Sequence, residues 1–118
     1  MAPLEFDTTL SSAGDALIAL SGELDLSGAP ALDQEIETLA ANPDVRRVIL
    51  DLRRLEFMDS SGLRVVALAD RRLSASGRSL VLVRGREHVQ RVFEITRMVE
   101  RLAFVDAPDD PGINGAAA

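Results

Sequence analysis

Two hydroxyls stand side by side in Asp59-Ser60-Ser61-Gly62, just after a carboxylate and just before a strongly apolar helical stretch. Two kinds of chemistry use residues of these types in this order. A serine beside a base is a nucleophile. At the mouth of a helix the first turn offers unpaired N–H groups and positive potential. Asp, Ser and Gly at the same place also cap the helix and permit a close backbone approach, and for a bare tetrapeptide capping by Asp59 or Ser60 is the ordinary reading. The nucleophile reading lacks its surroundings. The only imidazole, His88, opens a different helix after Gly85-Arg86, and the serines do not sit in a G-x-S-x-G elbow. With one His, no Cys and no dense acidic loop the chain offers no metal site, and with no Lys it has no Walker A loop. No catalytic residue and no cofactor is expected.

The element that presents this loop belongs to a single domain. A chain of 118 residues, 47% of them hydrophobic, fills one core and not two. Without Cys, disulfides are excluded, and without a secretory apolar region at the N-terminus the expected compartment is the cytoplasm. No apolar run approaches the roughly 18 residues of a membrane span. The net charge is −6 and unevenly spread, with nine acids and no base in residues 1–45 and all thirteen Arg in residues 46–101. Nucleic-acid binding needs a concentrated basic face or aromatic stacking platforms, and neither the mixed charge nor the 3% aromatic content supplies them.

Alternation of Leu4, Phe6 and Leu10 with acids predicts an opening strand over residues 4–10, a turn through Ser11-Ser12-Ala13-Gly14-Asp15, and a second strand over 16–20 that the chain leaves at Ser21-Gly22-Glu23-Leu24-Asp25. Pro30 suits the first turn of a helix over 29–41, with Ser27 or Gly28 as cap and Asn42-Pro43 as its stop. Val48-Ile49-Leu50 predicts an interior parallel strand over 45–52, covered on both faces. A helix over 63–74 ends at Ser76-Gly77; a strand over 79–83, a helix over 87–96 with Val89, Val92, Phe93 and Thr96 facing inward, and a short strand over 103–106 follow. Phe57 and Met58 read as core. The fold class is therefore α/β, order β-β-α-β-α-β-α-β: a mixed, mostly parallel sheet with an opening antiparallel hairpin, packed with helices joined by right-handed crossovers. The domain spans residues 1–107, and the Pro, Gly and Ala of residues 108–118 read as a disordered tail.

Val48-Ile49-Leu50-Asp51-Leu52, Leu55 and Phe57-Met58-Asp59-Ser60-Ser61-Gly62-Leu63, together with Gly22-Glu23-Leu24-Asp25 at the earlier site, resemble the signatures of STAS domains of the anti-sigma factor antagonist type, over about residues 4–105. The resemblance implies a STAS-like single domain that, unphosphorylated, binds an anti-sigma factor, often a serine kinase, and so frees a sigma factor for transcription. It implies phosphorylation on the serine after the Asp, here Ser60, and a phosphatase that reverses it. It implies a partner-facing surface made of Asp25, Asp59, Ser60, Ser61, Gly62, Leu63 and Arg64. For several of these a local role competes: Asp25 can end a strand and cap the next helix, Ser61 can bond its own loop, and Leu63 can be core. Two features depart from better-known members, Arg64 where a small Gly is common and a C-terminus that does not clearly continue into an amphipathic helix. The competing function is a STAS-type adaptor subunit of a transport or sensor complex, in which the same loop is a contact that is never phosphorylated.

Overall fold

Hairpin chemistry closes the first two strands, β1 (Glu5–Leu10) and β2 (Asp15–Leu24). Ser11 N–H donates to the Asp15 carbonyl at 2.9 Å, Gly14 N–H to the Ser11 carbonyl at 3.1 Å, and Asp15 N–H to Ser11 Oγ at 3.1 Å. There follow α1 (Ala29–Ala40), β3 (Arg47–Met58), α2 (Ser60–Ala75), β4 (Ser79–Val83), α3 (Glu87–Ile95), a 3-10 turn (Met98–Glu100) and β5 (Ala103–Val105). These assignments come from a computed structural model that describes residues 2–109. The sheet order is β1-β2-β3-β4-β5, with β1 and β2 antiparallel and every later pair parallel. Class, hairpin and element order agree with the sequence reading, apart from the added 3-10 turn.

One expectation about the core is corrected. Strands laid down in strictly sequential order send every right-handed crossover to the same side of the sheet. Accordingly, α1, α2 and α3 all pack into one apolar cluster with the same side of the strands, through Leu32, Ile36, Val66, Leu73, Val89 and Phe93. Covering helices on both faces of β3 are therefore absent among the described residues. The opposite face carries a separate cluster of strand residues, Ile49, Val81, Val83 and Val105, with Leu17 packed against it.

The long strands are also longer than predicted. β2 continues to Leu24 and β3 to Met58, because two register shifts, between Ala19 and Ser21 and between Gly22 and Glu23, let the pair stay bonded through Gly22 and the exposed Arg53-Arg54. Gly22 makes this possible. Its φ is +80°, and a Cβ there would lie 2.1 Å from the Pro3 carbonyl oxygen, where the N-terminal segment crosses as a Pro3–Glu23 bridge. Phe57 is 43% exposed and not core: alternation puts it on the face away from the helices once Met58 points toward them. Thr96 is likewise exposed, at the end of α3, where its hydroxyl donates to the Val92 carbonyl at 2.7 Å. The first helix ends one residue early, and α2 begins three residues earlier than predicted. Of the tail expected over residues 108–118, Pro108 and Asp109 form a turn and the rest lies outside the described residues, as does the position of any C-terminal helix.

Candidate functional site

Where β2 and β3 stop, they stop side by side. Glu23 pairs with Phe57 and Leu24 with Met58, and Asp59 N–H then donates to the Leu24 carbonyl at 3.3 Å. Asp25 and Asp59 thus leave the same end of the sheet on neighbouring strands, and α1 and α2 start from that end. In open α/β sheets the carboxyl ends of the strands are where loops gather and where binding is concentrated.

Asp59 is the N-cap of α2. Its backbone is extended (φ −111°, ψ −168°), its Oδ1 accepts from Ser61 N–H at 2.9 Å, and its carbonyl accepts from Leu63 N–H at 3.1 Å. Ser60 is consequently the first residue of the helix, and it is exposed. Ser61 is half-buried, and its N–H donates to the cap. Gly62 is buried, because a Cβ there would come within 2.7 Å of both Leu24 Cγ and Met58 Cγ. These are the last core side chains of β2 and β3, so glycine lets the first turn of α2 sit directly on the strand ends. Leu63 is partly buried and packs against the main cluster. Arg64 is exposed.

Across from this turn, Asp25 organises the start of α1. Its Oδ1 accepts from Ser27 N–H at 3.1 Å, Ser27 Oγ at 2.7 Å and Gly28 N–H at 3.2 Å. Gly28 occupies the cap position, one of the two predicted, and has no side-chain bond of its own; the Asp25 carboxylate holds the turn that leads into it, and the Asp25 carbonyl accepts from the first helical N–H, that of Ala29, at 2.9 Å. The Ser27 hydroxyl above all, and then the Gly28 N–H, hold the Asp25 carboxyl below the ordinary carboxylate range.

Between the two helices runs a shallow groove of about 320 Å³ whose lining includes Leu26, Pro30, Ser61, Arg64 and Leu68. Leu26 is 76% exposed. Neither Leu26 nor Leu68 figures among the sequence-derived contacts. The available signal for Leu26 was a large apolar residue inside the polar turn Asp25-Leu26-Ser27-Gly28; Leu68 falls within a helix too uniformly apolar to single it out. His88 does not join the serines: its Nε2 meets the backbone carbonyl of Glu56. Among the described residues no helix is long and apolar enough to cross a membrane.

The family model described as Mlab, STAS domain matches residues 8–105. This chain belongs to the STAS domain family. Within that family it is 42% identical over 85 residues to BtrV of Bordetella bronchiseptica, named as an anti-sigma factor antagonist, the match covering 70% of this chain and 71% of BtrV. It is 36% identical over 73 residues to the anti-sigma-F factor antagonist RsfB of Mycobacterium tuberculosis, covering 61% of this chain and 58% of RsfB. The structure of the anti-sigma factor antagonist SpoIIAA in its unphosphorylated form superposes with a TM-score of 0.74 at 26% identity, covering 94% of this chain and 96% of SpoIIAA. Bacillus SpoIIAA in the phosphorylated form gives the same TM-score and identity. This STAS domain therefore belongs with the anti-sigma factor antagonists, and its sheet and helices are those of that fold.

Proposed function

We propose that this STAS domain works as a phosphorylation-switched anti-sigma factor antagonist in the cytoplasm. Unphosphorylated, it binds an anti-sigma factor of the serine kinase type through the end of the sheet where α1 and α2 begin, and a sigma factor is thereby released. The kinase modifies Ser60, a phosphatase restores it, and the domain carries out no catalysis and contacts no nucleic acid. The observation that carries this reading is that Ser60, the first residue of α2, is exposed and is set directly after the Asp59 cap.

The physical argument concerns the surface and not the fold. A phosphate adds a charge of about −1.5 to −2, and at a helix N-terminus its oxygens meet N–H donors and a favourable dipole. The domain tolerates it. A partner covering the site must instead desolvate that charge next to the Asp59 carboxylate, which is already present. A buried, uncompensated charge at an interface costs about 2–5 kcal/mol, a loss of roughly 30-fold to several thousand-fold in affinity. Asp25, Asp59, Ser61 and Arg64 supply the polar rim of the proposed surface, Leu26 and Leu68 its apolar centre, and Gly62 and Leu63 support it from beneath.

Incubation with ATP and the anti-sigma serine kinases of the same organism, followed by intact mass, tests the reading. A single phosphate that disappears in Ser60→Ala supports it. Absence of incorporation, or a phosphate that persists in Ser60→Ala, overturns the switch and favours the adaptor function, in which the loop is a contact only.

A further inference from the structure

We propose that Arg64 is the internal counter-ion of phosphorylated Ser60, so that phosphorylation both adds an anion and withdraws a cation from the partner surface. The inference rests on the reading of Ser60 as the modified residue and adds a regulatory element to it. Ser60 and Arg64 are both exposed and lie four residues apart on α2, the spacing that brings side chains together on one helix face. Their order is the favourable one, anion toward the N-terminus and cation one turn later, and long side chains on a helix characteristically lean back over the preceding turn, where Ser60 lies.

No other acid competes for this guanidinium on its own helix. The residues three and four positions before and after Arg64 are Ser61, Ser60, Ala67 and Leu68. The carboxylate of Asp59 is held by the Ser61 N–H. Asp33, which also lines the groove, faces Arg72 at 3.7 Å. Among the described residues Arg64 forms no salt bridge, so in the unmodified chain it stands at the groove beside Leu26 and Leu68, free to meet an acidic group of the partner. A phosphate on Ser60 would give it an intramolecular anion instead.

The test uses the full chain with phosphoserine installed at position 60 during synthesis, which separates it from the question of whether a kinase modifies that residue. The second ionisation of the phosphate, ordinarily near pH 6, is followed by ³¹P NMR at low salt. A counter-ion favours the dianion, so Arg64→Ala should raise the midpoint by about 0.3 pH unit, the size expected of an exposed pair at this spacing. Arg64→Lys should retain most of the effect. Arg71→Ala, about three turns away on the same helix, should leave the midpoint unchanged, and about 1 M salt should erase the difference between wild type and Arg64→Ala. Coincident curves for wild type and Arg64→Ala at low salt, with unchanged far-UV circular dichroism, would overturn the proposal while leaving the Ser60 switch standing; failure of the kinase test would strike the switch and leave this electrostatic result intact.

Discussion

A single methyl group at position 62 should loosen the whole site. An ideal Cβ at Gly62 falls 2.7 Å from Leu24 Cγ, 2.7 Å from Met58 Cγ and 2.8 Å from Leu24 Cδ2. Favourable carbon–carbon contact begins at about 3.5 Å. Leu24 is 0% and Met58 3% exposed, so neither side chain can swing into solvent, and relief requires the first turn of α2 to lift from the strand ends. Overpacking costs about 1–3 kcal/mol, and two contacts of 2.7 Å against mid-chain atoms of buried side chains put this site in the upper part of that range, about 2–3 kcal/mol; replacing Gly by Ala in a helix returns about 1 kcal/mol. The net expectation is a destabilisation of about 1–2 kcal/mol, which for a domain of this size lowers the melting temperature by about 4–10 °C. Thermal and urea unfolding of Gly62→Ala, followed by circular dichroism beside wild type, measures it. A variant that melts at or above the wild-type temperature would refute the packing argument, and with it the claim that Gly62 sets the height of Ser60 above the sheet.

Three further outcomes are expected. Gly22→Ala combines a left-handed backbone with a clash against the Pro3 carbonyl and should cost about 2–4 kcal/mol, visible as a lower urea midpoint. Ser27→Ala removes the chief cause of the lowered Asp25 pKa, so NMR titration should find that carboxyl moved up toward its ordinary value. Since the folded pKa is depressed, the contribution of the Asp25 turn is present above the ordinary carboxylate pKa and lost as pH falls through the folded value, so in wild type the turn should loosen only in acid below the usual carboxylate range. Leu26→Ser, at a residue 76% exposed, should change stability by less than about 0.5 kcal/mol, while weakening anti-sigma factor binding measured by calorimetry by about tenfold or more.

The parts of the fold that were legible in the sequence are those where one local signal dominates. Continuous Val48-Ile49-Leu50 marked an interior strand, Ser76-Gly77 marked the end of α2, where Gly77 adopts φ +75°, and residues 79–83 were located to the residue. The misreadings fall where tertiary pairing overrides local chemistry. Ser21-Gly22 looks like a turn, and Arg53-Arg54 like a departure from a strand, yet both stay in the sheet because register shifts between β2 and β3 absorb them. The expectation of helices on both faces came from apolar continuity alone, which cannot distinguish a covering helix from the strand-only cluster around Val81 and Val83. At the site, the cap and its serine were readable from Asp59-Ser60-Ser61-Gly62, since capping is local. The groove between α1 and α2 was not, because it depends on how two helices separated in sequence pack together.

The most direct test of the account is the affinity of the cognate anti-sigma factor for this STAS domain with and without phosphate on Ser60, measured by isothermal titration calorimetry together with far-UV circular dichroism of both forms. The account predicts superimposable spectra and an affinity lower by about 30-fold or more for the phosphorylated form. Equal affinity for the two forms would contradict it.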